Sequence, residues 1–102
     1  MHLHDLTIRK FHDGLLNKDF KALDLAEAYF SRIEDEDKKI NAYLSLSKDT
    51  AMKQAESADL AVAEGRELPV LAGVPMAIKD NMLIEGGVTT AGSKILENYV
   101  AS

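Results

Sequence analysis

Apolar positions along the chain recur first with the period of a helix and later with the period of a strand. Ile8, Phe11, Leu15 and Leu16 fall near one helical face, and Thr7 just ahead of them can cap it, which predicts a helix over residues 8–17. Asn17-Lys18-Asp19 breaks that pattern, with Asp19 as the candidate N-cap of a second helix running to about residue 37. Leu25, Ala26, Tyr29, Phe30 and Ile33 form a single stripe on it. Together these predict an antiparallel helical hairpin over residues 1–38. From Ile40 the period changes. Ile40, Ala42, Leu44 and Leu46 alternate with Asn41, Tyr43, Ser45 and Ser47, the pattern of a half-buried strand. Ser47 can then cap a third helix whose small-residue face is Ala51, Met52, Ala55, Ala58, Ala61 and Val62, with Gly65 as its stop. Residues 70–84 are the most apolar stretch, and a second strand is predicted over 76–81. Gly86-Gly87 marks a turn and Ser93 opens a short helix toward Val100. Strand, crossover helix and strand make an α/β unit with parallel pairing as the default.

Composition narrows the function. The chain has 102 residues with 12 Lys and Arg against 17 Asp and Glu, a net charge of −5, and both halves are acidic. No basic stripe is available to neutralise phosphates, and the three Phe and three Tyr are few for base stacking, which argues against direct nucleic-acid binding by this segment. The absence of cysteine removes disulfides, thiolate catalysis and Cys-ligated zinc, and it fits a reducing, cytoplasmic setting. No apolar run approaches the roughly 18 residues of a membrane span, and Met1-His2-Leu3-His4-Asp5 lacks a signal-peptide apolar core.

Several motifs invite a chemical reading. Glu34-Asp35-Glu36-Asp37 resembles the start of a calcium loop, but Lys39 and Ile40 stand where an oxygen ligand and glycine are required, so a solvated helix end balanced by Lys38 and Lys39 is the better reading. Gly86 to Ser93 is glycine- and hydroxyl-rich yet lacks the Gly-Lys-Ser/Thr of a phosphate loop, and reads as a permissive loop. His2 and His4 have no third ligand, and His12 has no identifiable partner. The strongest anomaly is Val74-Pro75-Met76-Ala77-Ile78-Lys79-Asp80-Asn81, an apolar strand that ends in charge and places Lys79 and Asn81 on one face and Asp80 on the other. A buried Lys79 would lose protons more readily, because desolvation penalises the ammonium, and could then serve as a general base. The same position also suits a strand-end lysine reaching out to solvent.

Leu71 to Asn81, followed by Thr89-Thr90-Ala91-Gly92-Ser93-Lys94-Ile95-Leu96-Glu97-Asn98-Tyr99, resembles the amidase signature family, and within it the A subunits of tRNA-dependent amidotransferases. Leu25 to Tyr29, Arg32-Ile33 and Ile40 to Leu44 are similar to the amino-terminal helix and first strand of those subunits. The resemblance implies that residues 1–102 are the amino-terminal part of an amidase domain, with the hairpin over 1–38 and the start of a central mixed sheet over 39–102. It also implies a Ser–cis-Ser–Lys triad in which Lys79 is the catalytic lysine, drawing a proton through a bridging serine so that a second serine attacks an amide carbonyl. The two serines and their Gly/Ser-rich signature do not occur in this sequence, and Ser93 and Ser102 have the wrong context to replace them. The isolated chain is therefore expected to be inactive.

Further expectations come from the same resemblance. The partners implied are the remainder of the amidase chain, a B subunit that uses ATP and Mg, a C subunit that fastens the complex, and misacylated tRNA reached through that complex. No cofactor is implied for this segment. A fragment of another amidohydrolase of the family, or a non-enzymatic helical interaction module, are the competing readings. The two apolar strands also predict self-association of the isolated chain.

Overall fold

A hydroxyl starts the first helix as the sequence predicts. Thr7 Oγ1 accepts the Lys10 N–H at 3.1 Å and opens α1, Ile8–Leu16. The computed structural model describes residues 5–87, 89–96 and 98–100. Phe11 and Leu15, one turn apart, are the buried pair of α1, whereas Ile8 and Leu16 lie at the edge of the stripe and stay exposed. Beyond α1 the chain doubles back through Lys18 in the left-handed region (φ 60°), with the Lys18 and Asp19 N–H groups closing on the Leu15 and Gly14 carbonyls. The Phe20 ring then folds over Gly14, where a Cβ would come within 2.3 Å of it. Any larger residue at position 14 would push Phe20 off the core and break its tilted contact with Phe11, centroids 5.9 Å apart.

The second helix, α2, spans Ala22–Ile40 and the third, α3, spans Lys48–Ala63. Asp19 does not cap α2, because the helix begins at Ala22 and Lys21 occupies the N-cap position, two residues beyond Asp19. The acceptor comes instead from α3: the Asp59 carboxylate takes the Ala22 N–H at 2.6 Å and the Leu23 N–H at 3.0 Å. A carboxylate at this end also complements the helix dipole. α2 lies along α3, and α1 rests on α3 as well, so α3 is the hub of the layer rather than α1 and α2 forming a closed hairpin. The core consists of Phe11, Leu15, Ala22, Leu25, Ala26, Ala55, Ala58, Ala61 and Leu68. Each large member contributes about 1.5–3 kcal/mol on burial. The alanines contribute closeness, since they let two helix backbones and a loop converge.

That loop begins where Gly65 ends α3, its N–H and that of Arg66 bonding the Val62 and Ala61 carbonyls. The His12 ring lies 3.2 Å from the Leu68 carbonyl, linking α1 to the loop. Gly73, at φ +75°, then enters the crevice between α2 and α3, and a Cβ there would stand 3.0 Å from Ala58 Cβ and 3.1 Å from Ala22 Cβ. Neither the space nor the backbone conformation suits a larger residue.

The two strands expected over residues 40–47 and 76–81 do not form. Among the described residues the regular elements are the three helices and a short 3-10 turn, Lys94–Leu96, with Asp5 also in 3-10 conformation and isolated bridge residues at Glu85 and Val100. α2 runs on through Ile40 and ends with Asn41 in the left-handed region, so the first alternating position is consumed by helix. The Asp37 carboxylate then accepts the Ala42 and Tyr43 N–H groups at 2.7 and 3.4 Å, where a neighbouring strand would otherwise bond. The helix expected from Ser93 toward Val100 is reduced to that 3-10 turn, with Glu97 outside the described residues.

Candidate functional site

Downstream of Gly73 the chain reaches Lys79 with no helix or strand to hold it. The Met82 N–H closes a turn on the Lys79 carbonyl at 3.0 Å. A later segment grips this turn. The Asp80 carboxylate accepts the Thr90 N–H at 3.1 Å and the Thr90 hydroxyl, and the Asp80 carbonyl accepts the Ala91 N–H at 3.0 Å. Thr89 is buried and donates its hydroxyl to the Met82 carbonyl at 3.1 Å. The return is made possible by a tight turn in which the Gly87 N–H meets the Ile84 carbonyl at 2.8 Å, and by left-handed backbone at Ala91 (φ 49°) and Gly92 (φ 72°).

Electrostatically the grip favours the Asp80 carboxylate. The Thr90 hydroxyl, then the Thr90 N–H, with smaller contributions from the Gly92 and Ala91 backbone, hold its pKa below the ordinary value of 3.8 and outweigh the opposing effect of desolvation. Lys79 and Asn81 are exposed and Asp80 is half-buried, while residues 75–78 are exposed as well, so the segment shows no strand-like alternation of burial. Among the described residues the Lys79 ammonium has no hydrogen-bond or ion-pair partner. Ser93 is half-buried and accepts the Ile95 N–H at 3.3 Å, a local turn contact rather than an approach to Lys79.

Sequence reasoning presents residues 86–93 as a permissive loop, with Thr89–Ser93 also part of the family resemblance, and misses the pairing of Asp80 with Thr90. The available signal is an aspartate followed, after a Gly-Gly reversal, by two threonines at a distance that brings them back alongside it. No group of three or more His, Asp or Glu among the described residues could hold a metal ion, and His2 and His4 lie outside those residues. Two shallow depressions, one along α1 between Lys10 and Phe20 and one between Ser47 and Gly87, are not lined by Lys79. No helix of the described residues is long and apolar enough to cross a membrane.

Known proteins resemble this chain closely. It is 46% identical over 100 residues to the A subunit of glutamyl-tRNA(Gln) amidotransferase from Desulfatibacillum aliphaticivorans, covering 98% of this chain and 20% of that protein. The corresponding protein of Koribacter versatilis is 45% identical over 101 residues, covering 99% and 21%. The chain thus spans about a fifth of the length of these relatives. A solved chain from a vestigial protein complex bearing on the evolutionary origins of an s-triazine catabolic enzyme superposes with a TM-score of 0.87 at 32% identity, over 95% of this chain and 21% of that one. The Amidase family profile matches residues 24–102, from the first turn of α2 through the Lys79 turn and the Thr89–Thr90 loop that grips it, and the chain therefore belongs to the amidase family.

Proposed function

We propose that the chain is the amino-terminal part of the glutamine-hydrolysing A subunit of a tRNA-dependent amidotransferase, and that Lys79 is its catalytic base. The observation that carries this reading is the fixed turn at Lys79: an exposed lysine, its ammonium without a partner among the described residues, displayed by a turn that hydrogen bonds hold on its far side, within the segment matched to amidases. The similarity to two A subunits over nearly the whole chain supports the choice within the family.

On this reading the large apolar residues exposed between Ile40 and Val100 meet the remainder of the amidase chain, and the non-helical segments 42–47 and 76–81 join its mixed sheet. Enclosed there, Lys79 takes the proton that a bridging serine relays from the nucleophilic serine, and backbone N–H groups stabilise the oxyanion. Ammonia released from glutamine then serves a B subunit that consumes ATP with Mg to amidate misacylated tRNA, while a C subunit fastens the complex. The 102-residue chain alone supplies one of three catalytic side chains and does not turn over glutamine.

The test is glutamine hydrolysis by the complete polypeptide. Lys79→Ala lowers turnover by about 10²–10⁴-fold, the usual contribution of a positioned acid–base group. Lys79→Arg is no better, because guanidinium does not give up its proton. A near-normal rate in either variant removes Lys79 from the mechanism. The likeness to the solved chain linked to s-triazine catabolism favours, as a second reading, another amidohydrolase of the family. That reading is supported if simple amides are cleaved in preference to glutamine.

A further inference from the structure

Lys79 sits between two fixed points. Six residues upstream, Gly73 is seated against Ala22 and Ala58 on the helical layer. Immediately downstream, the segment Thr89–Ala91 takes hold of Asp80 and Met82. With no helix or strand between Gly73 and the 3-10 turn at Lys94–Leu96 among the described residues, these are the contacts that set where the Lys79 backbone lies. At the centre is the Thr90 side chain. Its hydroxyl donates to the Asp80 carboxylate and accepts the Gly92 N–H at 3.2 Å, so the rotor is fixed from both sides. Its own N–H supplies the second bond to the same carboxylate. A charged acceptor makes both bonds stronger than neutral ones.

This arrangement does not engage the lysine side chain among the described residues. The latch engages its neighbour, and the ammonium makes no hydrogen bond or ion pair with any described residue. A side chain with a four-carbon stem can cover a wide arc, and a displacement of about 1 Å at a reacting group can cost roughly a hundredfold in rate. A base that must meet a serine hydroxyl needs its backbone fixed while its amine stays available.

We propose that Thr90, acting through the Asp80 carboxylate, is a positioning residue for Lys79. The proposal rests on the reading of Lys79 as the catalytic base. Thr90 touches no reacting atom. It fixes the turn from which the base projects, and its hydroxyl is the feature on which that function depends.

The experiment uses the complete polypeptide with Thr90→Val, Thr90→Ser, Asp80→Asn and Lys79→Ala, following kcat and KM for glutamine, thermal midpoint and amide hydrogen exchange. Thr90→Val keeps the shape and removes the hydroxyl. It lowers kcat about 10–100-fold, leaves KM within about twofold and speeds exchange in residues 79–82 and 89–92 without loosening α2 or α3. Thr90→Ser restores the hydroxyl and recovers most of kcat, which a role in packing alone would not produce. Asp80→Asn weakens the same latch and lowers kcat in the same direction, providing the test if Thr90→Val does not fold. A Thr90→Val enzyme with unchanged kcat overturns the proposal, as does equal loss in the valine and serine variants, or faster exchange with no loss of rate. If Lys79→Ala retains full turnover, the base assignment has failed and the positioning role goes with it. If Lys79→Ala is inactive and Thr90→Val is not impaired, the positioning role alone has failed.

Discussion

Asp80 is a carboxylate that the fold keeps ionised by donating into it, and this has a defined consequence for stability. Its pKa in the folded chain lies below the ordinary 3.8, chiefly because of the Thr90 hydroxyl. The stability it contributes is therefore complete above about pH 3.8 and is lost as pH falls through the lowered folded value. In the 102-residue chain the gap in urea midpoint between wild type and Asp80→Asn stays constant from about pH 7 to 5 and narrows below about pH 4. A gap of the same size at about pH 3 would show that the latch does not depend on the charge. Single residues also mark what can be read from sequence. Thr7 and Gly65 are legible because a cap and a stop act within one turn of the residues they serve. Gly73 shows in the sequence only as an interruption of an apolar run, because the reason for it lies on Ala22 and Ala58, both distant along the chain.

Between elements, the tie from Asp59 to α2 is the firmest polar link, two N–H groups received by one carboxylate from another helix. Asp59→Ala leaves the first turn of α2 without its acceptor and costs about 1–2 kcal/mol, read as a lower urea midpoint. Asp59→Asn, which keeps an oxygen acceptor, costs less. An unchanged midpoint in the alanine variant would mean that water replaces the carboxylate without loss. Periodicity places all three helices close to their observed bounds, since amphipathic stripes are local. It misplaces the cap of α2 because a partner 37 residues away leaves no local signal. The strands are overread for a related reason: alternation shows that a segment can pair, but its partner decides whether it does. The Lys79 segment stands out by its charged end, yet the grip of Thr90 does not, since it depends on a return of the chain that composition only hints at.

Taken whole, the chain is more spread out than its length requires. Its radius of gyration is 15.0 Å, against about 13 Å for a compact chain of this size, and its extents are 46 × 32 × 19 Å. The helical layer carries the core, while Leu44, Val70, Met76, Met82, Leu83 and Ile95 are each more than half exposed. Surface of this kind associates unless it is covered. Sedimentation of the purified chain at low micromolar concentration is expected to show species heavier than the monomer, and a stable monomer with sharp cooperative unfolding would overturn that expectation. The reach of Asp59 back to Ala22 also sets a clock. During synthesis at about 5–20 residues per second, the carboxylate that completes the start of α2 is made roughly 2–7 seconds after the N–H groups it receives. For that interval the first turn of α2 depends on water and on Asp24, whose carboxylate accepts the Lys21 N–H at 3.3 Å. The first turn of α2 thus receives its acceptor from α3 only after Asp59 has been made.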